Sequence, residues 1–218
     1  MKSFFLRWWH VLGVSTIYIQ GLIYLWIGRN AGAIETVHYN YYWIDLKIPF
    51  LSWFVFPYMS WMPVMYLAFI YFAIVDRKIY WRVLAVYNIA VMGCNVIFLL
   101  FATYVPRPDI EPSNLALTLV QFIYNNDAPL NCFPSVHCLT SYLLFITINR
   151  DLKLGNVSRI AWSVLMWLII ASTVFIKQHS LLDVVGGILV AEVTYQLVRM
   201  AANRFYVRKK QYVGSKAM

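Results

Sequence analysis

Two histidines stand in segments whose residue types suit phosphate chemistry. His137 follows Pro134 and Ser135, a pair typical of a helix start, with Ser135 as a possible N-cap. Free backbone N–H groups and the positive end of the helix dipole gather at such a start and attract anions. We therefore predict a phosphate-binding position beside Ser135 and His137.

The second histidine, His179, precedes Asp183 by four residues. On a helix, residues four apart share one face. An aspartate bonded to one ring nitrogen fixes the tautomer, leaves the other nitrogen free as a nucleophile and stabilises the positive charge that develops on attack. His179 is thus the candidate nucleophile of the chain.

An arginine between two prolines, Arg107, is the third candidate. Arginine binds phosphate through two parallel hydrogen bonds, and the flanking prolines stiffen the backbone that presents it. Each of the three motifs alone has a plain structural explanation. Their combination favours chemistry, because all three fall at the outer ends of predicted membrane spans.

Composition indicates the elements that must position these residues. The chain of 218 residues is 61% hydrophobic and only 12% charged, unlike a soluble domain. Apolar stretches long enough to cross a bilayer recur along it. We predict an all-α polytopic membrane protein, a six-transmembrane-helix bundle forming one domain over residues 1–218, with spans at about 10–27, 53–75, 83–105, 135–149, 160–176 and 184–202.

The distribution of charge predicts the orientation of this bundle. The connections 76–82 and 150–159 and the C-terminal tail are basic, which places them and both termini in the cytoplasm. The candidate site then faces the extracytoplasmic side of a cell membrane. Topology also accounts for the net charge of +9, so we expect no nucleic-acid partner. The prolines of segment 106–134 predict an irregular loop.

The order Arg107-Pro108, then Pro134-Ser135-x-His137, then His179-x-x-x-Asp183 resembles the type 2 phosphatidic acid phosphatase superfamily. The resemblance covers residues 107–183 and implies a two-step reaction without metal or other cofactor. His179 would attack the phosphate, Asp183 would orient it and His137 would protonate the leaving oxygen. Arg107 and Ser135 would hold the phosphate of a lipid such as phosphatidic acid, phosphatidylglycerol phosphate or an isoprenyl diphosphate.

The chain departs from this family pattern at three positions. Leu100 and Thr173 stand where the family usually has a lysine and an arginine, and Val136 replaces a glycine. Our hypothesis is that Lys177 supplies part of the missing positive charge as a phosphate ligand. The alternative is that Lys177 extends to lipid headgroups.

The run from Phe133 to His137 is similar to a branch of the superfamily that contains inositol phosphorylceramide synthases, which transfer a headgroup. Headgroup transfer is therefore the alternative to hydrolysis. Either reaction requires a protonated His137 and a neutral His179, and predicts a bell-shaped pH profile.

Two further alternatives stay open. A zinc site could use Cys132, His137, Cys138 and His179, although the spacing fits no common zinc pattern. A membrane transporter could line a pathway with polar residues inside the spans, but such residues also join helices: Gln20, Asn88, Asn95 and Glu192. Finally, Gly186 and Gly187 predict close packing of the last span against a neighbour.

Overall fold

A computed structural model describes residues 9–30, 37–39 and 41–215, with backbone only for 206–215. Helix α1 spans Ser15–Asn30 and follows a 3-10 turn, Trp9–Val14. The short helix α2 (Trp43–Leu46) and a second 3-10 turn, Ser52–Phe54, precede α3. The other helices are α3 (Val55–Val75), α4 (Arg77–Leu100), α5 (Leu115–Asn126), α6 (Val136–Arg150), α7 (Asn156–Phe175) and α8 (Leu181–Ser215).

Five segments of the described chain are helical, long and apolar enough to cross a membrane: Trp9–Asn30, Ser52–Val75, Arg77–Leu100, Asn156–Phe175 and Leu181–Phe205. Their length and composition indicate an integral membrane protein. The predicted span 135–149 corresponds to α6, which has 15 residues and is therefore about 22 Å long. This is shorter than a hydrocarbon core of about 30 Å, so the count of six spans stays a prediction.

Helix α6 lies at the centre of the bundle, packed mainly against α7 and α8. Nine of its residues are buried, among them Leu139, Leu143 and Ile146, so both its polar and its apolar sides face protein. A central helix of this kind can hold a histidine at its first turn at a fixed position relative to α8.

The connection between the second and third spans is shorter in the structure than the sequence predicts. The basic stretch 76–82 was expected to be a connection, but α4 begins at Arg77 and only Asp76 separates it from α3. Asp76 caps α4, because its Oδ1 accepts hydrogen bonds from the backbone N–H groups of Lys78 and Ile79. Helix α4 then ends at Leu100, so the predicted span 83–105 begins and ends too late.

Short strands and a short helix lie over the outer end of the bundle. Strands β1 (His38–Tyr39) and β2 (Thr103–Tyr104) pair in parallel, with His38 opposite Thr103. The expectation of an irregular loop over 106–134 is wrong in its centre, because α5 forms there. Its N-cap is Asn114, whose side chain accepts from the Leu117 N–H, and the prolines of the segment lie outside this helix.

Polar side chains of α1 and α4 form hydrogen bonds with one another. Asn95 donates to the Gln20 side chain at 3.0 Å, and Asn88 donates to Thr16 Oγ1 at 2.9 Å. On α8, Glu192 accepts from Arg150 at 2.7 Å. These contacts explain the polar side chains as interhelical hydrogen bonds and an ion pair, which weakens the transporter alternative.

The predicted close packing at Gly186 and Gly187 is confirmed. A Cβ on Gly186 would lie 2.5 Å from the Phe133 ring, and one on Gly187 would overlap the carbonyl oxygen of Ser135. The first turn of α8 therefore touches the backbone at the start of α6. This contact brings the segments of His137 and His179 together.

Candidate active site

Ser135 is the N-cap of α6, as predicted. Its hydroxyl accepts from the Cys138 N–H at 3.3 Å, and its own N–H donates to the carbonyl of Asp183 at 3.0 Å. The preceding loop is tied to β2, because Thr103 Oγ1 accepts from the N–H groups of Cys132 and Phe133. Helix α6 thus begins at a position fixed by both β2 and α8.

His179 and Asp183 are adjacent, but not for the reason expected. His179 precedes α8, so the two residues do not share a helix face. They are instead joined through Ser180, whose N–H donates to Asp183 Oδ2 at 2.8 Å while its hydroxyl accepts from the Asp183 N–H at 3.3 Å. This reciprocal cap leaves Asp183 Oδ2 at 3.6 Å from His179 Nδ1, with Asp183 fully buried.

His137 faces His179 across the helix starts. Nδ1 of His137 lies 3.5 Å from Nε2 of His179, the nitrogen of His179 that points away from Asp183. The His137 ring is held between Tyr58 and Trp61 of α3, with ring centroids 4.7 and 4.0 Å away. The structure therefore brings together His137, His179 and Asp183 from three separate sequence positions.

Arg107 reaches the same region from the outer loop. Its Nη1 donates to the carbonyls of Tyr124 and Asp127, and its Nη2 donates to Gln178 Oε1 at 2.5 Å. The guanidinium also stacks on the Tyr124 ring at 4.6 Å. Nε of Arg107 is buried without a hydrogen-bond partner among the described residues. The side chain is rigidly held and still carries an unused donor.

Gln178 is a site residue that the sequence analysis missed. It is 3% exposed, its Oε1 accepts from Arg107, and its Nε2 is buried with no partner in the described part of the chain. The residue directly precedes His179, which was a usable signal, but a glutamine between two charged or titratable residues has no distinctive chemistry in sequence. Two unused donors, one on Arg107 and one on Gln178, thus lie on a hydrogen-bonded pair beside the histidine.

Lys177 points to a different part of the molecule. Its ammonium donates to the carbonyls of Asp45 and Ile48 and to the Tyr41 hydroxyl, at 3.0, 2.6 and 3.3 Å. An ammonium has three donors, and all three are used here. These contacts favour an anchor for the segment around α2, and phosphate binding by Lys177 stays a prediction.

Two of the three departures from the family pattern, Leu100 and Thr173, have different surroundings. Leu100 ends α4 and is 79% exposed, so this position faces away from the protein. Thr173 is fully buried, and its carbonyl accepts from the N–H groups of Gln178 and His179. Thr173 therefore positions the turn that carries His179, although it brings no charge.

Asp127 adds an acid that was not assigned to the site. Its Oδ1 accepts from the Tyr24 hydroxyl at 3.0 Å, and its carbonyl accepts from Arg107. Burial raises the pKa of the Asp127 carboxyl, against the opposing effects of Arg107, Tyr24 and His179. An acid with weakened ionisation lies close to the proposed nucleophile.

The structure changes the set of residues that could bind zinc. All three carry free thiols, and the Cys138 thiol contacts Thr173 Oγ1 at 3.5 Å. Ligand atoms of Cys132, His179 and Asp183 lie within 4.8 Å of one another. Burial and the nearby Asp183 raise the pKa of the Cys132 thiol, which disfavours the thiolate that zinc prefers.

An apolar cavity of about 320 Å³ adjoins His137. It lies between α1, α3 and α4, and its wall includes Met62, Met65, Tyr66, Tyr87 and Val91. Asp127 and His137 also line it. The reactive end of the cavity is polar and the rest is apolar, as a lipid with a phosphate at one end requires.

Buried His179 with its aspartate, a second histidine and an arginine define a candidate phosphoryl-transfer site at one end of a membrane helix bundle. Residues 79–206 match the family model of the PAP2 superfamily. That match covers more than half of the chain, which therefore belongs to this superfamily, whose members are generally phosphatases. No curated protein and no solved structure matches the chain.

Proposed function

We propose that the protein is a lipid phosphatase that hydrolyses a phosphomonoester or diphosphate of a lipid through a phosphohistidine. One observation carries this proposal: Nε2 of His179 faces Nδ1 of His137 at 3.5 Å, while Nδ1 of His179 faces buried Asp183 at 3.6 Å. A candidate nucleophile thereby lies between a carboxylate that can orient it and a candidate proton donor. Substrates of this chemistry include phosphatidic acid, phosphatidylglycerol phosphate and isoprenyl diphosphates.

The reaction follows from the positions of the nitrogens. Asp183 holds the proton on Nδ1 of His179, which leaves the lone pair of Nε2 free to attack phosphorus. As the P–N bond forms and the P–O bond to the lipid breaks, His137 gives its proton to the leaving oxygen. His137 then takes a proton from water, which attacks phosphorus and releases His179. The two rings must move apart to admit the phosphoryl group.

Charge on the phosphoryl oxygens needs donors already in place. The unused Nε–H of Arg107 and the unused amide N–H of Gln178 are buried and supply two of them. The N-terminal end of α6 at Ser135 supplies backbone N–H groups and a favourable dipole. Gln178 thus supplies a neutral hydrogen-bond donor to the phosphate but no positive charge.

The membrane setting supports a lipid as the substrate. The apolar cavity beside His137 would take the hydrocarbon chain, because it lies between α1, α3 and α4, which are long and apolar enough to cross a membrane. In our proposal α6 also crosses the membrane, as the fourth of six spans, both termini are cytoplasmic and the site is extracytoplasmic. The membrane and the lipid phosphate are then the partners of the protein. Headgroup transfer, as in the inositol phosphorylceramide synthase-like branch, would use the same phosphohistidine with an alcohol instead of water.

The proposal is tested by phosphate release from a panel of lipid phosphates and diphosphates by the purified protein. We expect release from at least one lipid, unchanged by a chelator, and at least a thousandfold loss in His179→Ala. His38→Ala is the matched control, because the His38 ring stacks on Phe101 and contacts neither site histidine in the described structure. Equal activity of the His179→Ala and wild-type proteins would reject the proposal.

A further inference from the structure

Asp45 is a buried acid that the proposed reaction does not use. It lies in the four-residue helix α2 and is only 1% exposed. Its Oδ2 accepts from the Tyr42 N–H at 2.9 Å, and its Oδ1 accepts from the Leu181 N–H at 2.8 Å. Leu181 is the first residue of α8 and follows His179 by two positions. The carboxylate of Asp45 therefore bonds the backbone two residues after the proposed nucleophile.

The same residue also contacts the chain before His179. The backbone carbonyl of Asp45 accepts from the Lys177 ammonium at 3.0 Å. Lys177 has a φ of 55°, in the left-handed region, which costs energy for a residue other than glycine. Such a backbone conformation persists only where the surrounding contacts hold it. Asp45 thus bonds both ends of residues 177–181, which we call the His179 turn.

The start of α8 is bonded by two buried carboxylates that have different contacts. Asp183 accepts from the Ser180 N–H and faces the His179 ring at 3.6 Å. Asp45 accepts from the Leu181 N–H, and no hydrogen bond or ion pair joins it to either site histidine in the described structure. The positive end of the helix dipole offsets part of the cost of burying these two charges. The contacts of Asp45 therefore reach His179 through the backbone of the His179 turn.

The chain that follows α2 is fixed to the bundle. The N–H of Leu51 donates to the carbonyl of Phe175, the last residue of α7, at 2.9 Å. The Ile48 carbonyl accepts from the Lys177 ammonium at 2.6 Å. The Ile48 side chain packs against a buried cluster from α6, α7 and α8: Cys138, Ile170, Val174 and Val184. Asp45 is thus held by contacts outside the His179 turn and can set the position of that turn.

We propose that Asp45 is a positioning residue, which holds His179 in the orientation for attack through its hydrogen bond to the Leu181 N–H. This inference rests on the proposed phosphohistidine. Loss of the bond frees the start of α8 to move, and a displacement of about 1 Å at a nucleophile can lower the rate about a hundredfold. The apolar cavity and the contacts of Arg107 do not include Asp45, so substrate binding is affected less than turnover.

The test measures kcat, KM and melting temperature for Asp45→Ala, with the lipid phosphate that wild-type protein hydrolyses fastest. Alanine removes the acceptor of the Leu181 N–H. We expect kcat to fall about a hundredfold while KM changes by less than about threefold. Asp45→Asn keeps a side-chain oxygen that can accept from the same N–H, and we expect it to restore kcat to within about tenfold of wild type.

Asp151→Ala is the matched control for a loss of stability. The Asp151 side chain is 8% exposed, and it accepts from Arg82 and from the Tyr195 hydroxyl at 2.6 and 3.1 Å. It lies at the end of α6, whereas His137 lies at the start. We expect this variant to lower the melting temperature and to change kcat by less than about twofold. All activities are measured at a temperature at which each variant is folded.

Asp45→Glu replaces Asp45→Ala in the test if the alanine variant does not fold. Glutamate retains the charge and both acceptor oxygens, but it is one methylene longer and displaces the Leu181 N–H. We expect kcat to fall about tenfold, with KM within about threefold of the wild-type value.

The results for these variants decide whether Asp45 positions His179. Wild-type kcat in folded Asp45→Ala, or in Asp45→Glu where alanine does not fold, overturns the inference. An equal fall in Asp151→Ala, an Asp45→Asn protein as inactive as Asp45→Ala, or a rise in KM at unchanged kcat overturns it as well, and each leaves the proposed hydrolysis intact. If wild-type protein and His179→Ala both leave every lipid phosphate intact, the proposed function fails and the inference fails with it.

Discussion

Unused hydrogen-bonding atoms cluster around His179. Arg107 Nε and Gln178 Nε2 are donors without acceptors, and Asp183 Oδ1 is an acceptor without a donor, within the described residues. Each buried polar atom left unpaired costs about 1–3 kcal/mol. Folding alone does not favour such a cluster, whereas a bound phosphate would satisfy the donors. The residues beside His179 are therefore arranged for a ligand, with the exception of Lys177.

Lys177→Met tests whether Lys177 anchors the segment around α2 or binds phosphate. The substitution removes the donors of two carbonyls and a hydroxyl, and we expect a loss of about 1–3 kcal/mol, or a fall in the melting temperature of several degrees. Methionine keeps the unbranched shape of the side chain. The measurement is thermal unfolding in detergent together with KM for the lipid phosphate.

Lys47→Met is the control for Lys177→Met. Lys47 lies in the same anchored segment, but its ammonium is on the surface above the Trp43 ring. We expect little change in its melting temperature. If Lys177→Met instead raises KM and unfolds at the wild-type temperature, the ammonium binds phosphate and the anchor interpretation is wrong.

At the scale of elements, two helix starts position the chemistry. Ser135 begins α6 and Ser180 caps α8, and the N–H of Ser135 donates to the carbonyl of Asp183. The close approach depends on Gly187, whose missing side chain leaves room for the Ser135 carbonyl. His137 and His179 therefore keep their separation only while α6 and α8 stay in contact.

Gly187→Ala tests the contact between α6 and α8. The new Cβ overlaps the Ser135 carbonyl oxygen, and backbone cannot yield as a flexible side chain does. We expect destabilisation by about 1–3 kcal/mol and a loss of turnover, because the two histidines are displaced together with their helices. Melting temperature and kcat are measured on the same preparation.

Gly93→Ala provides the comparison, since a Cβ there meets nothing within 4 Å. It lies within α4, where alanine is expected to stabilise the helix by up to about 1 kcal/mol and to leave kcat unchanged. Wild-type stability and turnover in Gly187→Ala would show that the contact does not position the site.

At the scale of the whole molecule, the bundle encloses an apolar volume that leads to His137. The cavity is bounded by α1, α3 and α4, whereas the histidines belong to α6 and the turn before α8. In the proposed function, the residues that would bind the lipid chain are therefore mostly distinct from those that would perform the reaction, with His137 common to both. We therefore expect that the preference for substrate chain length can be changed without loss of the reaction.

Met62→Trp tests whether the cavity binds the lipid chain. Met62 lines the cavity, and the larger indole would displace two or three methylene groups, each worth about 0.8 kcal/mol. We expect kcat/KM for dioleoyl phosphatidic acid to fall about tenfold or more. The value for the dihexanoyl compound should change by less than about threefold, because short chains do not fill the cavity.

Met92→Trp is the matched control, because Met92 and Met62 are both 44% exposed and Met92 does not line the cavity. We expect it to affect neither substrate. An equal loss of activity toward both chain lengths in Met62→Trp would mean that the tryptophan disturbs the site and that the chain binds elsewhere.

Most residues of the candidate site could be proposed from residue types alone. Arg107, Ser135, His137, His179 and Asp183 were identified because few charged or titratable residues occur in an apolar chain, and because helix starts and apolar spans have strong sequence signals. The all-α architecture followed from the same signals. His179 and Asp183 were expected to be neighbours on one helix; they lie 3.6 Å apart, but the helix begins only at Leu181 and does not include His179.

Tertiary structure alone decided which polar groups meet. Gln178 and Asp127 join the site, and Lys177 turns to the segment around α2, because loop contacts and helix packing set side-chain directions that sequence spacing does not encode. Helix α5 formed inside a proline-bounded loop for a similar reason, since its N-cap and buried face outweigh the flanking prolines. Spacing determines which residues can act, whereas contacts between distant segments determine which ones do.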